Sequence, residues 1–362
     1  MLRTSDLDYA LPESAIAATP APAREDARLL VVGPGAGLVR DKRIPDLPGL
    51  LAPGDLLVRN RTRVVPARFV GTRPETGAKA EGLFLRELGT GAWAAMIKTR
   101  RVGEGVRLSL VSREGAPTNV RLVLVRRLEE PGAWEVHVQD PLGRAPLALL
   151  DEIGRTPLPP YILAARRRSG LEVPDDVDRS RYQTEFAGGQ PASIAAPTAG
   201  LHLTPGVASA LAARGVRVAD VELQVGTGTF RTVETEFVEQ HDMHEERCLV
   251  PAETAREVEA ALARGSRVVC VGTTSARTLE AAALQGATPG EWFSTRLLIT
   301  PGYQFRVTRA LLTNFHLPKS TLMALVAAML PGGAPELRTH YEHALLGGYR
   351  FYSYGDAMLV LP

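Results

Sequence analysis

Apolar and polar positions along the chain fall into two regimes. From about Val64 to Leu150 the pattern is short and strand-like. Val64–Val70, Leu83–Leu88, Trp93–Ile97, Val106–Leu110, Val120–Val125 and Trp134–Val138 are apolar stretches separated by Gly, Pro or charged turns. Half a dozen short strands at this spacing predict a small barrel or sandwich. After Tyr182 strands and helices alternate. Thr204-Pro205 is an N-cap followed by proline at the first helical position, and Gly215 supplies the stop. Val216–Val225 follows as a strand running into Gly226-Thr227-Gly228-Thr229. Pro251–Arg264 reads as a helix ended by Gly265. Arg267–Val271 reads as a buried strand into Gly272-Thr273-Thr274-Ser275, and Ala276–Leu284 as the next helix.

Near the N-terminus, Arg28–Val32 and Leu56–Val58 read as strands, the second entered through a Pro53-Gly54-Asp55 turn. Leu163–Ser180 loses apolar periodicity and gathers charges around Pro174, which predicts a surface loop or hinge. The fold class expected is therefore α/β, with a mixed or mostly parallel sheet and flanking helices, plus an inserted small β-barrel. Residues 1–64 and 155–362 would form a discontinuous α/β domain, and 65–154 the inserted barrel domain.

Composition adds exclusions. The chain has 362 residues, 45% hydrophobic and 23% charged, which suits a soluble globular protein rather than a disordered one. Two cysteines, Cys248 and Cys270, make neither a disulfide framework nor, alone, a zinc site. The apolar run Leu322–Leu330 is far short of the ~20 residues that span a bilayer. Asp6, Asp8 and Glu13 among prolines argue against a signal peptide, so the expected compartment is the cytoplasm, with no membrane partner.

Net charge is only +2, but its distribution is uneven. Arg59–Arg127 holds fifteen Lys/Arg against five Asp/Glu, a local +10, whereas residues 182–362 hold 14 against 17. A basic face for a polyanion fits that asymmetry. Only four of the 42 basic residues are lysine, so plain arginine usage explains it as well.

Two strands end in glycine- and hydroxyl-rich turns, where free N–H groups and hydroxyls hold anions such as a carboxylate. Gly272–Ser275 lacks the Gly-Lys-Ser/Thr of a Walker loop, and Gly226-Thr227-Gly228 lacks the third glycine of a dinucleotide fingerprint. Ordinary capping by Thr and Ser is the competing reading. Of seven histidines, His202, His241, His244 and His316 fall in polar loops. His202 and His316 precede helix caps, where each suits proton transfer or, equally, a satisfied structural role. His241 and His244 are three apart, but no carboxylate completes a metal triad, and no metal site is expected.

Several segments resemble one family in order along essentially the whole chain. They are Ala196-Pro-Thr-Ala-Gly-Leu-His202, Gly226-Thr-Gly-Thr-Phe230, His241-Asp-Met-His244, Val271-Gly-Thr-Thr-Ser275, Leu312-Thr-Asn-Phe-His-Leu-Pro318 and Tyr349-Arg-Phe-Tyr-Ser-Tyr-Gly-Asp-Ala-Met358. Thr62-Arg-Val-Val-Pro-Ala-Arg68, Pro157-Leu-Pro-Pro-Tyr161 and Arg181-Tyr-Gln-Thr184 agree as well. They resemble the S-adenosylmethionine:tRNA ribosyltransferase-isomerases of queuosine biosynthesis.

The resemblance implies that S-adenosylmethionine is a ribosyl donor and serves as substrate, with no metal or organic cofactor. The ribosyl group moves onto the aminomethyl nitrogen of 7-aminomethyl-7-deazaguanine at the wobble position of a tRNA anticodon loop. It is isomerised to an epoxycyclopentanediol, giving epoxyqueuosine-tRNA, adenine and methionine. A monomer is expected. The candidate catalytic residues are His202, His316 and His244. The resemblance places substrate binding on Thr198, Gly200, Gly226, Thr227, Gly228, Thr229, Phe230, His241, Thr273, Thr274, Ser275, Asn314, Phe315, Tyr354 and Asp356, and RNA binding on Arg63, Arg68, Arg100 and Arg101. The chemistry fits these residue types. A sulfonium acidifies its neighbouring C5′ hydrogens, so a base is needed there and an acid near the departing adenine. Phe230 and Phe315 are candidates to face the sulfonium, or else core residues.

The chain also departs from the family's pattern. Where the family reads Thr-Leu-His-Val-Gly, this chain has Glu222-Leu-Gln-Val-Gly226, and Arg101 stands where a family lysine would. Glutamine keeps a hydrogen bond but carries no proton. A paralogue that uses the same donor on another acceptor, or a non-enzymatic RNA-binding relative, remains an alternative at this level.

Overall fold

The computed structural model describes residues 1–33, 39–89, 91–189, 191–226, 228 and 232–361. Strands β1 (Arg28–Val32), β2 (Val39–Arg43), β3 (Leu56–Asn60) and β4 (Arg63–Val64) come first. The next six are β5 (Arg68–Thr72), β6 (Lys79–Gly89), β7 (Ala92–Thr99), β8 (Arg107–Val111), β9 (Pro117–Arg127) and β10 (Ala133–Gln139). β11 (Pro191–Ser193), β12 (Arg217–Leu223), β13 (Glu246–Leu249), β14 (Val268–Val271), β15 (Trp292–Thr295), β16 (Ala310–Asn314) and β17 (Ala357–Val360) complete the set. The helices are α1 (Leu47–Leu50), α2 (Pro146–Ile153), α3 (Pro160–Ser169), α4 (Asp175–Arg181), α5 (Pro205–Ala213), α6 (Ala252–Ala263), α7 (Thr273–Gln285), α8 (Thr321–Ala328) and α9 (Gly333–Leu346).

Nine strands form one mixed sheet in the order β15-β13-β12-β3-β14-β16-β17-β1-β2. At its centre β12, β3, β14 and β16 run parallel. Side chains alternate between two buried faces, as a doubly covered sheet requires. Leu30, Val58, Cys270, Leu311 and Met358 face α6 to α9, while Leu29, Leu57, Val269, Leu312 and Leu359 face α1 and α5. The helix after Thr204 forms as its caps predict: the Thr204 hydroxyl accepts from the Val207 amide, and Gly215 follows at φ +75°.

The six strands of the basic window close into an antiparallel barrel in the order β10-β7-β6-β5-β8-β9. Its interior is filled by Phe69, Phe84 and Trp93, with Phe84 edge-on to Trp93 at 5.0 Å. Leu149, Leu150 and Ile153 of α2 plug one end. Gly82 is required there, because a Cβ would sit 2.1 Å from the Phe69 ring.

Two local expectations need correction. Val64–Val70 is not one strand: Pro66 interrupts the ladder, β4 pairs in parallel with β11 outside the barrel, and β5 starts at Arg68. Leu163–Ser180 is not a surface loop but parts of α3 and α4. Arg166 and Asp178, both buried, join these helices through two hydrogen bonds of 2.6 and 2.7 Å. Charges that look solvated in one dimension are each other's partners in the interior.

Candidate active site

The parallel strands β12, β3, β14 and β16 end at one edge of the sheet, where ligands of open α/β sheets collect. β17 runs antiparallel to β16, so the chain approaching Ala357 lies at the same edge. A narrow cavity opens there. Its walls come from the turn at Thr198, the start of α7, the residues after β16 and the turn before β17.

The end of β16 organises the polar groups. Asn314 accepts a hydrogen bond from the Thr198 hydroxyl at 2.9 Å, and its Nδ2 lies 3.2 Å from Nε2 of buried His202. His316 lines the cavity with Nε2 2.8 Å from the Thr313 hydroxyl. Burial pushes the His316 imidazole down to about 3 and that of His202 down to about 4. Both are therefore neutral at pH 7, each with a lone pair free of a proton.

Gly272, at φ +84°, turns β14 into α7, so the free N–H groups of that helix's first turn point at the cavity. The Thr274 hydroxyl is buried there without a hydrogen-bond partner. Opposite, the Tyr161 hydroxyl lies 2.5 Å from Ser353, and the Tyr161 ring stands 4.5 Å from that of Tyr352. Tyr352 holds φ +72°, a conformation that costs an aromatic residue about 1–2 kcal/mol. That strain sits on the cavity wall.

Val225 lines both this cavity and a larger cleft between the α/β layer and the barrel. His244, Gln224, Gly226 and Gly228 line it, facing Leu85, Arg86 and Met96 of the barrel. Gly228 packs so closely on His244 that a Cβ would come within 2.3 Å of its ring. Glu246 lines the same cleft and is ion-paired with buried Arg277 of α7.

A family model for a queuosine biosynthesis protein matches residues 4–360. A relative from Anaeromyxobacter sp. (strain Fw109-5), named S-adenosylmethionine:tRNA ribosyltransferase-isomerase, is 47% identical over 362 residues, 99% of both chains. One of the same name from Azorhizobium caulinodans is 44% identical, again over 99% of each. The crystal structure of an S-adenosylmethionine tRNA ribosyltransferase from Thermotoga maritima covers 99% of this chain at 30% identity, with a TM-score of 0.53. The chain belongs to the queuosine-biosynthesis family of S-adenosylmethionine:tRNA ribosyltransferase-isomerases. The resemblance carried by the motifs thus holds over the whole chain.

Not every candidate from the sequence meets in one place. His316, Thr198, Thr273, Thr274 and Asn314 share the first cavity. His244, Gly226 and Gly228 are in the interdomain cleft. His202 and Tyr354 line a smaller adjoining cavity, and Asn314 links His202 to the first. Gly200 packs against Phe186, and the Ser275 hydroxyl donates to the Val271 carbonyl at the end of β14. His241 closes a short turn with its amide on Val238 O. Thr227, Thr229 and Phe230 lie outside the described residues.

Two expectations are corrected. Gly272–Ser275 is no separate turn before a helix at Ala276, since α7 starts at Thr273. The second is Asp356, which points away from the cavity and holds the chain together, accepting from the amides of Arg28 and Arg350 at 2.8 and 2.7 Å. Phe315 is among the residues around the first cavity, and of its two readings the core one fits its ring, which is fully buried and stacked on Phe351 at 4.6 Å with Tyr341 and Tyr349 edge-on. Among the arginines, Arg68 lines the outer part of the trough and Arg63 a separate groove. Arg100 and Arg101 are exposed where the chain leaves β7, their carbonyls holding Arg73.

Tyr161, Tyr352, Ser353 and Thr313 line the cavity but drew no role from the sequence. All four stand inside the Pro157–Tyr161, Leu312–Pro318 and Tyr349–Met358 motifs, and that is the available signal.

Proposed function

We propose that the cavity and the cleft together form a trough that binds S-adenosylmethionine at the β16–α7 end. Its ribosyl group is then transferred and isomerised onto 7-aminomethyl-7-deazaguanine at the tRNA wobble position. The products are epoxyqueuosine-tRNA, adenine and methionine. The observation that carries this is one cavity holding a helix N-terminus, the unpartnered Thr274 hydroxyl and neutral His316, with Val225 in its wall shared with a cleft that reaches the basic barrel.

In this reading the methionine carboxylate meets the first-turn amides of α7 and the Thr274 hydroxyl. The sulfonium lies toward the paired rings of Tyr161 and Tyr352. The C5′–S bond breaks with its electrons on sulfur, releasing methionine. The glycosidic bond breaks with its electrons on adenine, which takes up one proton. C5′ and the acceptor amine each lose a proton, so one proton is released net and no redox partner is needed. His316 is placed to take a proton near the sulfur, and His244 to serve the amine in the cleft. His202 orients Asn314. No metal or organic cofactor takes part.

Residues 1–64 and 155–362 act as the donor-binding and catalytic unit, and 65–154 as the barrel unit that meets the anticodon loop. One chain carries the whole trough, so a monomer suffices, and a tRNA substrate fits a cytoplasmic enzyme. Incubation with S-adenosylmethionine, with and without tRNA carrying the 7-aminomethyl base, tests the reading. Adenine and methionine should appear in equal amounts only when that tRNA is present. Adenine release with a small-molecule acceptor instead would favour the paralogue.

A further inference from the structure

Beyond the interdomain cleft the trough continues outward over the barrel surface. This outer slot shares Met96, Ile194 and Gly226 with the cleft. One wall is the proline run 157–160 with Leu163 of α3, and the other is Leu83, Met96 and Ile97 of β6 and β7. Arg68, Lys98 and Arg167 stand at its rim, with Glu81 the acidic group among them.

Arg59, Arg61, Arg86, Arg113 and Arg126 of the basic window form ion pairs, and its other ten basic residues form none among the described residues. Arg68, Arg155 and Arg167 form none among the described residues, and the Nε atoms of Arg68 and Arg155 are buried without a hydrogen-bond partner. β5 and the chain leaving the barrel pair at these two arginines, with Arg155 N donating to Arg68 O at 2.6 Å. Opposite residues of such a pair place their side chains together. Burial lowers the Arg68 pKa, and the charges of Arg155 and Arg167 lower it further against the pull of Glu81 and Asp175. Unpaired guanidinium donors held together in a partly desolvated place fit an anion, and planar guanidinium groups suit phosphate.

We propose that this slot takes an unstacked nucleotide of the RNA substrate, a chain neighbour of the one being modified. Its base lies on the apolar wall and its phosphate against Arg68, Arg155 and Arg167. The inference rests on reading the trough as the reaction site. Bases of single-stranded loops are recognised when splayed onto flat surfaces, including guanidinium planes, with basic groups tracking the phosphates. The slot's continuity with the cleft sets the occupant a short chain distance from the reacting base.

The experiment uses the full chain and an anticodon stem–loop carrying 2-aminopurine at each nucleotide flanking the modified one in turn. With the wild-type protein, emission from one flanking position should change on binding. In Leu163→Trp, which fills the slot, and in Arg167→Glu, on its exposed rim, that change should be lost. The KM for RNA should rise ~10-fold or more in both, with kcat and S-adenosylmethionine affinity within about threefold of wild type. Should Leu163→Trp misfold, Arg167→Glu decides alone. Unchanged emission and KM in the variants overturn the proposal, as does loss of donor affinity, which would give the slot to S-adenosylmethionine. Emission reads binding without turnover, so a wild-type protein that releases no adenine sinks the reaction reading while the slot is still decided.

Discussion

Asn314 stands between two loops, with Nδ2 3.2 Å from His202 Nε2 and Oδ1 accepting from Thr198. Because Nδ2 is a donor only, it fixes His202 Nε2 as the acceptor nitrogen. Asn314→Ala leaves both His202 and Thr198 without that partner. We expect a loss of about 1–3 kcal/mol in stability, measured by urea unfolding, together with slower adenine release. Asn314→Asp should not restore the wild-type behaviour, since it offers His202 no donor.

His202 and His316 are held neutral, which sets a pH dependence. In the unfolded chain a histidine takes up a proton near pH 6.5. In the fold these two do so only near about 4 and about 3. Below pH 6.5 the unfolded state therefore binds more protons, and stability falls as pH falls through that window. Buried His202 alone contributes on the order of 3 kcal/mol of this loss between pH 6.5 and its folded value. Urea midpoints from pH 7.5 down to 4.5 should decline, and more shallowly in His202→Gln. A pH-independent midpoint would remove the neutral-histidine assignment.

His316 faces the cavity, and its replacement tests chemistry more than packing. His316→Ala should slow adenine release ~10²-fold or more with an unchanged circular dichroism spectrum. Unchanged turnover would make it a wall residue.

Much of this architecture was legible in the sequence. The barrel strands announced themselves because each is local, alternating and bounded by turn residues, and the Thr204 cap and Gly215 stop framed α5. The pairing of Arg166 with Asp178 was not legible, because the partners sit on different helices and nothing in a local pattern says they face inward. Nor was the separation of the histidines: His316, His202 and His244 look alike as loop residues, and only the crossing of strand ends assigns them to three cavities. Phe315 reads as a motif aromatic, yet the sheet turns its ring into the core.

The Arg166–Asp178 pair yields a stability prediction. Removing one partner strands a buried charge, so Asp178→Ala should cost about 3–5 kcal/mol in chemical denaturation. The double replacement Arg166→Met with Asp178→Leu should cost clearly less than Asp178→Ala alone. Equal costs would show that the pair contributes little.

Charge on the barrel separates RNA binding from donor binding. Arg100→Glu with Arg101→Glu should weaken tRNA binding and reduce its salt slope by about one unit for each phosphate no longer neutralised. S-adenosylmethionine affinity should stay close to wild type. An unmoved tRNA affinity would assign these arginines to solvation of the barrel surface.

The most direct measurement is nucleoside analysis of tRNA carrying the 7-aminomethyl base after incubation with S-adenosylmethionine and the wild-type protein. The wobble nucleoside should gain the isomerised five-carbon unit in step with adenine and methionine, mole for mole. A methylated nucleoside with S-adenosylhomocysteine, or adenine release that leaves the wobble nucleoside unchanged, would contradict ribosyl transfer to that base.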